Sequence, residues 1–229
     1  MGATCTGAAE VASPTSLRAD PDRSGPLTVR IATGSTSHGC RTASVEPVFA
    51  PNSASAPSGS LRVLGIDPGL TRCGYAVVDG RGPGAAVAVS LGVIRTPPTD
   101  ELPYRLAALR TELVGLLVEF RPDVVAVERV FFQVNVRTAM SVGQASGLAL
   151  CEAAAAGCEV VQYTPNEVKG AVAGYGSAGK EQVAKMVQAR LKLAQLPKPA
   201  DAADAAALAL CHLAVAPLKR RVAEAEGRR

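Results

Sequence analysis

The sequence has almost no histidine: His38 and His212 are the only two in 229 residues. Its six cysteines, at 5, 40, 73, 151, 158 and 211, nowhere form C-x-x-C. A zinc site needs clustered Cys and His ligands, so both shortages argue against one. The cysteine spacing is equally poor for a disulfide scaffold. Cys151, Cys158 and Cys211 read as small apolar residues in a reducing cytoplasm. The apolar core of a secretory signal is missing from the start, and no later stretch reads as long enough to cross a membrane. The expected location is therefore cytoplasmic, with no membrane contact.

Residues 1–60 lack any sustained apolar period and are rich in Ser, Thr, Pro, Ala and Gly. Arg18, Arg23, Arg30 and Arg41 balance Glu10, Asp20, Asp22 and Glu46, so the segment is neutral. Such a composition buries too little apolar surface to offset its ordering entropy, which predicts a disordered tail. A second expectation is that Leu61 is an alternative start and that residues 1–60 do not exist in the native protein. Residues 61–217, roughly 160 in all, are enough for a single domain with a core. Residues 218–229 form a basic C-terminal tail. The whole net charge of +4 falls after residue 60, with 11 Lys and Arg against 6 Asp and Glu from position 161 onward. That bias suits polyanionic partners. Lys219-Arg220-Arg221 can also be only a solvated helix end.

Apolar alternation predicts strands over 62–67, 73–79 and 85–95, the last two split by Gly80-Arg81-Gly82-Pro83-Gly84. Leu106, Leu109, Leu113, Leu116 and Leu117 have helical spacing within 102–120, and Pro122 stops that helix. A strand over 123–128, a small-residue helix over 136–156 and a short strand over 159–163 follow. Thr164-Pro165-Asn166-Glu167 is a helix-start signature. Further helices run to about 173, over 180–193 and over 200–216, with Pro217 closing the last. This order predicts an α/β single domain, a mixed sheet flanked by helices on both faces.

Four carboxylates stand out because apolar stretches rarely carry lone acids. Asp67 ends Val63-Leu64-Gly65-Ile66-Asp67, Glu128 ends Val124-Val125-Ala126-Val127-Glu128, and Asp201 and Asp204 lie in Ala200-Asp201-Ala202-Ala203-Asp204. Asp201 and Asp204 share a helix face. Open sheets place ligands at the C-terminal strand edge, where Glu128 would lie. If the last helix crosses near the first strand, all four acids meet. An oxygen-only set suits Mg²⁺ or Mn²⁺.

Ile66-Asp67-Pro68-Gly69-Leu70-Thr71-Arg72-Cys73-Gly74 resembles the opening motif of the RuvC family of Holliday junction resolvases. Glu128-Arg129-Val130-Phe131-Phe132 resembles its second motif. Lys169, eleven residues before Lys180, and Asp201-Ala202-Ala203-Asp204-Ala205 complete the likeness in order. The resemblance implies an RNase H-like fold, a homodimer, and Mg²⁺-dependent cleavage of four-way junction DNA, with RuvA and RuvB as partners. It implies metal binding by the four acids, a DNA contact by Phe131 near the cut, and substrate contacts by Lys169 and Lys180. The position of Asp201 varies between Asp and His in that family.

Phosphodiester hydrolysis by two divalent ions about 4 Å apart needs a bridging carboxylate and others outside it. Asp67 is the candidate bridge, Glu128 and Asp204 each hold one ion, and Asp201 orients water or completes a shell. Packed without metal, four acids repel, so at least one pKa should rise. Two-fold junction symmetry asks for two active sites, and the small-residue helix over 136–156 is the candidate dimer interface. Alternatively that stretch faces DNA through Arg137 and Gln144, and Asn135 just before it is a further candidate DNA contact.

Simpler readings stay open beside these. Asp67 can be a turn former, Glu128 can pair with Arg129 or Arg105, and Asp201 can favour a helix N-terminus. One of Phe131 and Phe132 can be core, with Phe132 the stronger candidate, and Lys180 can be a solvated face. His212 lies eight residues past Asp204, about 12 Å along a helix, too far to share a metal. Competing classes are another nuclease or transposase-like enzyme of the same fold, an actin-like ATPase or sugar kinase, and a non-catalytic DNA-binding protein.

Overall fold

Three apolar runs, 63–66, 73–78 and 124–127, form the centre of one sheet, and each is buried on both sides. The computed structural model describes residues 43–47, 60–82, 84–130 and 136–226. In chain order the elements are β1 (Ser44–Pro47), β2 (Leu61–Asp67), β3 (Arg72–Gly80), β4 (Ala86–Arg95), α1 (Leu102–Phe120), β5 (Val124–Glu128), α2 (Val136–Ala155), β6 (Glu159–Tyr163), α3 (Pro165–Ala173), α4 (Lys180–Leu191) and α5 (Ala200–Glu226). The strands lie in the order β1-β4-β3-β2-β5-β6. Pairings from β1 through β2 are antiparallel, and β5 and β6 run parallel to β2. The predicted mixed sheet is thus present.

Period-two alternation assigns the faces. Val63, Ala76, Val78, Val124 and Ala126 pack with α3, α4 and α5. Leu64, Ile66, Cys73, Tyr75, Val77, Val125 and Val127 pack with α1 and α2. Helix α1 buries Leu109, Leu113, Leu116, Leu117 and Phe120, close to the predicted stripe. Helix α3 opens on the predicted capping box, with Glu167 N donating to Thr164 Oγ1 at 3.2 Å and Thr164 N donating to Glu167 Oε2 at 2.7 Å.

Three features depart from expectation. The segment 1–60 was expected to be a disordered tail, yet Ser44–Pro47 pairs with the outer edge of β4. Ala43 and Val45 pack on the α1/α2 side of the core. Four residues ending in proline suit an edge, where one side of the backbone needs no partner. The remainder of 1–59 lies outside the described residues, apart from Ala43. Second, α5 continues through Pro217 to Glu226. Proline removes one backbone hydrogen bond, but the residues after it are good helix formers, and the turn resumes. Third, residues 200–218 are long and apolar enough to cross a membrane, contrary to the reading above. That apolarity belongs to a core helix: Ala202, Ala203 and every residue from Ala205 to His212 are buried within this domain.

At the other end of β2 from Asp67, Arg62 forms a buried forked pair with Asp79, at 2.7 and 2.9 Å, and donates to Phe120 O at 3.0 Å. Both side chains are under a tenth exposed. Removing one member would strand a buried charge. Asp79→Ala is expected to destabilise the fold by about 3–5 kcal/mol in urea unfolding. A change below about 1 kcal/mol would show that the pair is not needed.

Candidate active site

Strand parity puts Asp67 and Glu128 on one face. Val63 faces α5, so Gly65 and Asp67 do too; Val124 and Ala126 face α5, so Glu128 does as well. The parallel register pairs Ile66 with Val127, which sets the next residues, Asp67 and Glu128, side by side at the C-terminal strand ends. Helix α5 crosses this face at very short range. A Cβ built on Gly65 would lie 2.0 Å from the Ala205 carbonyl oxygen, and one on Gly74 would lie 2.1 Å from that of Asp201. Gly74 is the cross-strand partner of Asp67. The two bare glycines therefore seat the first turns of α5 on β2 and β3, bringing Asp201 and Asp204 to Asp67.

The electrostatics show the convergence. Asp67 is pushed up to about 8, first by burial, then by the charges of Glu128 and Asp204, a hydrogen bond with Glu128, and the charge of Asp201. Burial also raises Glu128, against the Asp67 hydrogen bond; Asp204 adds to the rise, while Lys180 and Lys169 oppose it. The two carboxyls titrate as a pair, and burial and mutual repulsion disfavour ionising both. Asp204 is raised by burial, with Lys180 opposing and Asp201 adding. Lys180 Nζ lies 3.6 Å from Asp204 Oδ2, and the Arg72 guanidinium pairs with Asp201.

The site is thus an anionic cluster whose acids resist ionising together, with two side-chain cations against it. Among the described residues, no three candidate ligands yet close on one point as a preformed cage. The four oxygen donors and their mutual repulsion nonetheless fit hard divalent cations. Such a cation would replace the proton on Asp67 and loosen the Lys180 and Arg72 pairs.

A pH dependence follows. An unfolded Asp67 titrates near 3.8 and the folded one near 8, so the folded state binds the proton more tightly between those values. This stabilising term is complete below about 4 and is lost as pH rises through about 8. In EDTA the melting temperature is expected to fall on the order of 5–10 °C from pH 5 to 8.5. A flat profile in wild-type protein would contradict the strained cluster.

Glu128, Asp204 and Asp201 all lie within electrostatic reach of Asp67, and Lys169 and Lys180 within reach of Glu128. Arg105 does not pair with Glu128; it binds Thr96 and Thr71 instead. Lys180 is both a solvated residue, with an 84% exposed side chain, and a neighbour of Asp204. His212 is buried, with Nδ1 2.9 Å from the Tyr163 hydroxyl, as its structural reading requires. Phe131, Phe132 and Asn135 lie outside the described residues, as does the side chain of Arg137 on α2. Sequence reading assigns no role to Arg72, Gly65 or Gly74. The one available signal was Gly65, the same-face position immediately before Asp67 on its strand.

Acids at the ends of two central strands, roofed by a helix carrying two more, define the nuclease class built on the RNase H-like fold. The family profile described as crossover junction endodeoxyribonuclease RuvC matches residues 63–212. The chain is 53% identical over 168 residues to the RuvC of Salinispora arenicola, covering 73% of this chain and 96% of that one. It is 53% identical over 166 residues to the RuvC of Rhodococcus jostii, covering 72% and 88%. The structure of Thermus thermophilus RuvC in complex with Holliday junction substrate matches with TM-score 0.67 and 40% identity, over 69% of this chain and 96% of that one. The yeast mitochondrial resolvase Ydc2 shares the fold, with TM-score 0.54 at 18% identity, over 70% of this chain and 82% of that one. This chain belongs to the RuvC family of crossover junction endodeoxyribonucleases.

Proposed function

We propose that this chain resolves four-way DNA junctions by paired symmetric nicks, in homologous recombination and DNA repair. The observation that carries the reading is the convergence of Asp67, Glu128, Asp201 and Asp204 beneath Lys169 and Lys180. Asp67, Glu128 and Asp204 would hold two Mg²⁺ ions, with Mn²⁺ able to replace them. Bound there, the ions would lower the pKa of the attacking water and offset charge on the phosphate. Asp67 would lose its proton and serve as bridge. Asp201, held by Arg72, would orient the water or complete a shell. Lys169 and Lys180 would meet substrate phosphates as charges, without reading sequence. Phe131 would stack on a base near the cut, and Asn135 and Arg137 would add contacts.

Two opposed cuts call for a two-fold dimer. On α2, Ala145, Ala149 and Ala153 are buried in the chain's own core, whereas Met140, Gly147 and Cys151 form an exposed stripe. That stripe, not the buried alanines, is the proposed dimer contact. The proposed setting is the cytoplasm, with RuvA and RuvB as partners.

The test incubates a synthetic four-way junction, and a linear duplex of equal length, with protein and Mg²⁺. Paired symmetric nicks in the junction alone are expected. Equal cutting of both substrates, or cutting in EDTA, would overturn the reading.

A further inference from the structure

Tyr163 ends β6, the edge strand beyond β5. It is the register partner of Glu128, and Arg129 N donates to its carbonyl oxygen at 2.8 Å. The backbone pairing therefore continues one residue past Glu128. The Tyr163 side chain lies on the same face as Glu128, in the cluster packed with α5, and is 2% exposed. There its hydroxyl shares a hydrogen bond of 2.9 Å with His212 Nδ1, and the two rings meet edge-on with centroids 6.1 Å apart. His212 is buried and lies on α5, eight residues beyond Asp204. One side chain thus joins the strand end beside Glu128 to the helix that carries Asp204.

The apolar contacts of α5 give little direction. Of its buried residues from 202 to 209, six are alanine and one is Leu208. Gly65 and Gly74 let that smooth surface lie close on β2 and β3, which sets its height over the sheet. Apolar contact is non-directional, so it fixes the height of a helix better than its turn or slide. A hydrogen bond, by contrast, weakens steeply as its angle and length depart from the ideal. Tyr163–His212 is such a directional contact, about 12 Å along the helix from Asp204. A second tie runs nearby, from Cys211 Sγ to the Glu167 carbonyl oxygen at 3.8 Å. It holds α5 to α3, the helix that follows Tyr163 and carries Lys169. Satisfaction of two buried polar groups also accounts for the Tyr163–His212 bond. That account does not explain its place, with one end beside Glu128.

We propose that the hydrogen bond between Tyr163 and His212 is a positioning contact, which fixes the turn of α5 against the end of β5 and so sets the spacing of Asp204 from Glu128. Neither residue touches a cation or the DNA; both act through the acids they hold in place. The inference rests on the reading of these acids as ligands of divalent cations. Ligands of one metal centre tolerate little displacement, and groups that orient such ligands alter metal affinity by about 10- to 100-fold.

The experiment reads melting temperature against Mg²⁺ concentration, and cutting of a four-way junction. Wild-type chain is compared with Tyr163→Phe, His212→Leu, the double variant and the control Tyr75→Phe. Tyr75 is buried on the opposite face of the sheet with its hydroxyl 3.4 Å from Ser90 Oγ, so the control removes the same group elsewhere. Tyr163→Phe keeps the ring and loses the bond. Its half-saturating Mg²⁺ concentration is expected to rise about tenfold, the low end for groups that orient metal ligands. Its kcat should fall, with KM and junction binding in EDTA unchanged. His212→Leu should give a similar rise, and the double variant no more than that, because both changes remove one bond. The control should keep the wild-type half-saturation. A Tyr163→Phe curve lowered equally at every Mg²⁺ concentration, with half-saturation unmoved, would show a stability role alone and overturn the inference. Additive rises in the double variant, or an equal rise in Tyr75→Phe, would overturn it too. Where His212→Leu does not fold, Tyr163→Phe against the control decides. A wild-type chain without any Mg²⁺ shift would bring down the cation site, and this inference with it. One that shifts but cuts no junction would bring down the junction reading and leave the melting test in force.

Discussion

Asp67→Asn is expected to reduce junction cutting by on the order of 10³-fold or more, about 4 kcal/mol of barrier, while junction binding persists. Three consequences should appear together, because one carboxylate is at the centre of three others. Asparagine keeps the shape and one acceptor oxygen but cannot carry the charge of a bridging ligand. In wild-type protein Mg²⁺ should raise the melting temperature, since a ligand that binds only the folded state stabilises it. That shift should vanish in the variant. Without metal at pH 8, the variant should melt higher than wild type, because it removes the buried charge whose desolvation, and then repulsion by Glu128 and Asp204, lift Asp67 to about 8. A variant that keeps the Mg²⁺ shift, or cuts within tenfold of wild type, would remove Asp67 from the metal site. Loss of binding along with cutting would point to misfolding rather than chemistry.

Much of this centre was legible because two local patterns coincide. In β2 and β5 an apolar run ends in an acid, and strand parity alone predicts on which face that acid points. The Thr164–Glu167 capping box is likewise a purely local signal. What could not be read depends on partners distant in sequence. Ser44–Pro47 has no apolar alternation of its own and becomes a strand only because β4 offers an unpaired edge. Pro217 is a sound local stop signal, overridden by helix-forming residues on both sides. Arg72 sits in a recognised motif, but its pairing with Asp201 exists only once α5 lies across β3. The same holds for Arg105, whose hydrogen bonds to Thr96 and Thr71 exist only once α1 packs back on the sheet.

The seat of α5 supplies the second large effect. Gly65→Ala is expected to destabilise the domain by more than about 3 kcal/mol, the upper range for overpacked cores, and to lower cutting by roughly 10²-fold in molecules that still fold. The added Cβ would meet the Ala205 carbonyl oxygen at 2.0 Å and the Ala209 nitrogen at 3.0 Å. Both are backbone atoms of a helix packed on all its buried turns, so no side chain can rotate away. Either β2 or α5 must move, and Asp67 and Asp204 lie within one turn or two residues of the collision. A shift of about 1 Å between them would misplace ligands that must share the same cations. Gly74→Ala should act in the same way on Asp201, since its Cβ would lie 2.1 Å from the Asp201 carbonyl oxygen. The two variants distinguish the acids. If Asp204 is a ligand and Asp201 an adjustable neighbour, Gly65→Ala should weaken the Mg²⁺ melting shift more than Gly74→Ala does. Equal shifts in both would make Asp201 as central as Asp204. Full activity in Gly65→Ala at wild-type stability would mean that α5 does not set the spacing of the site.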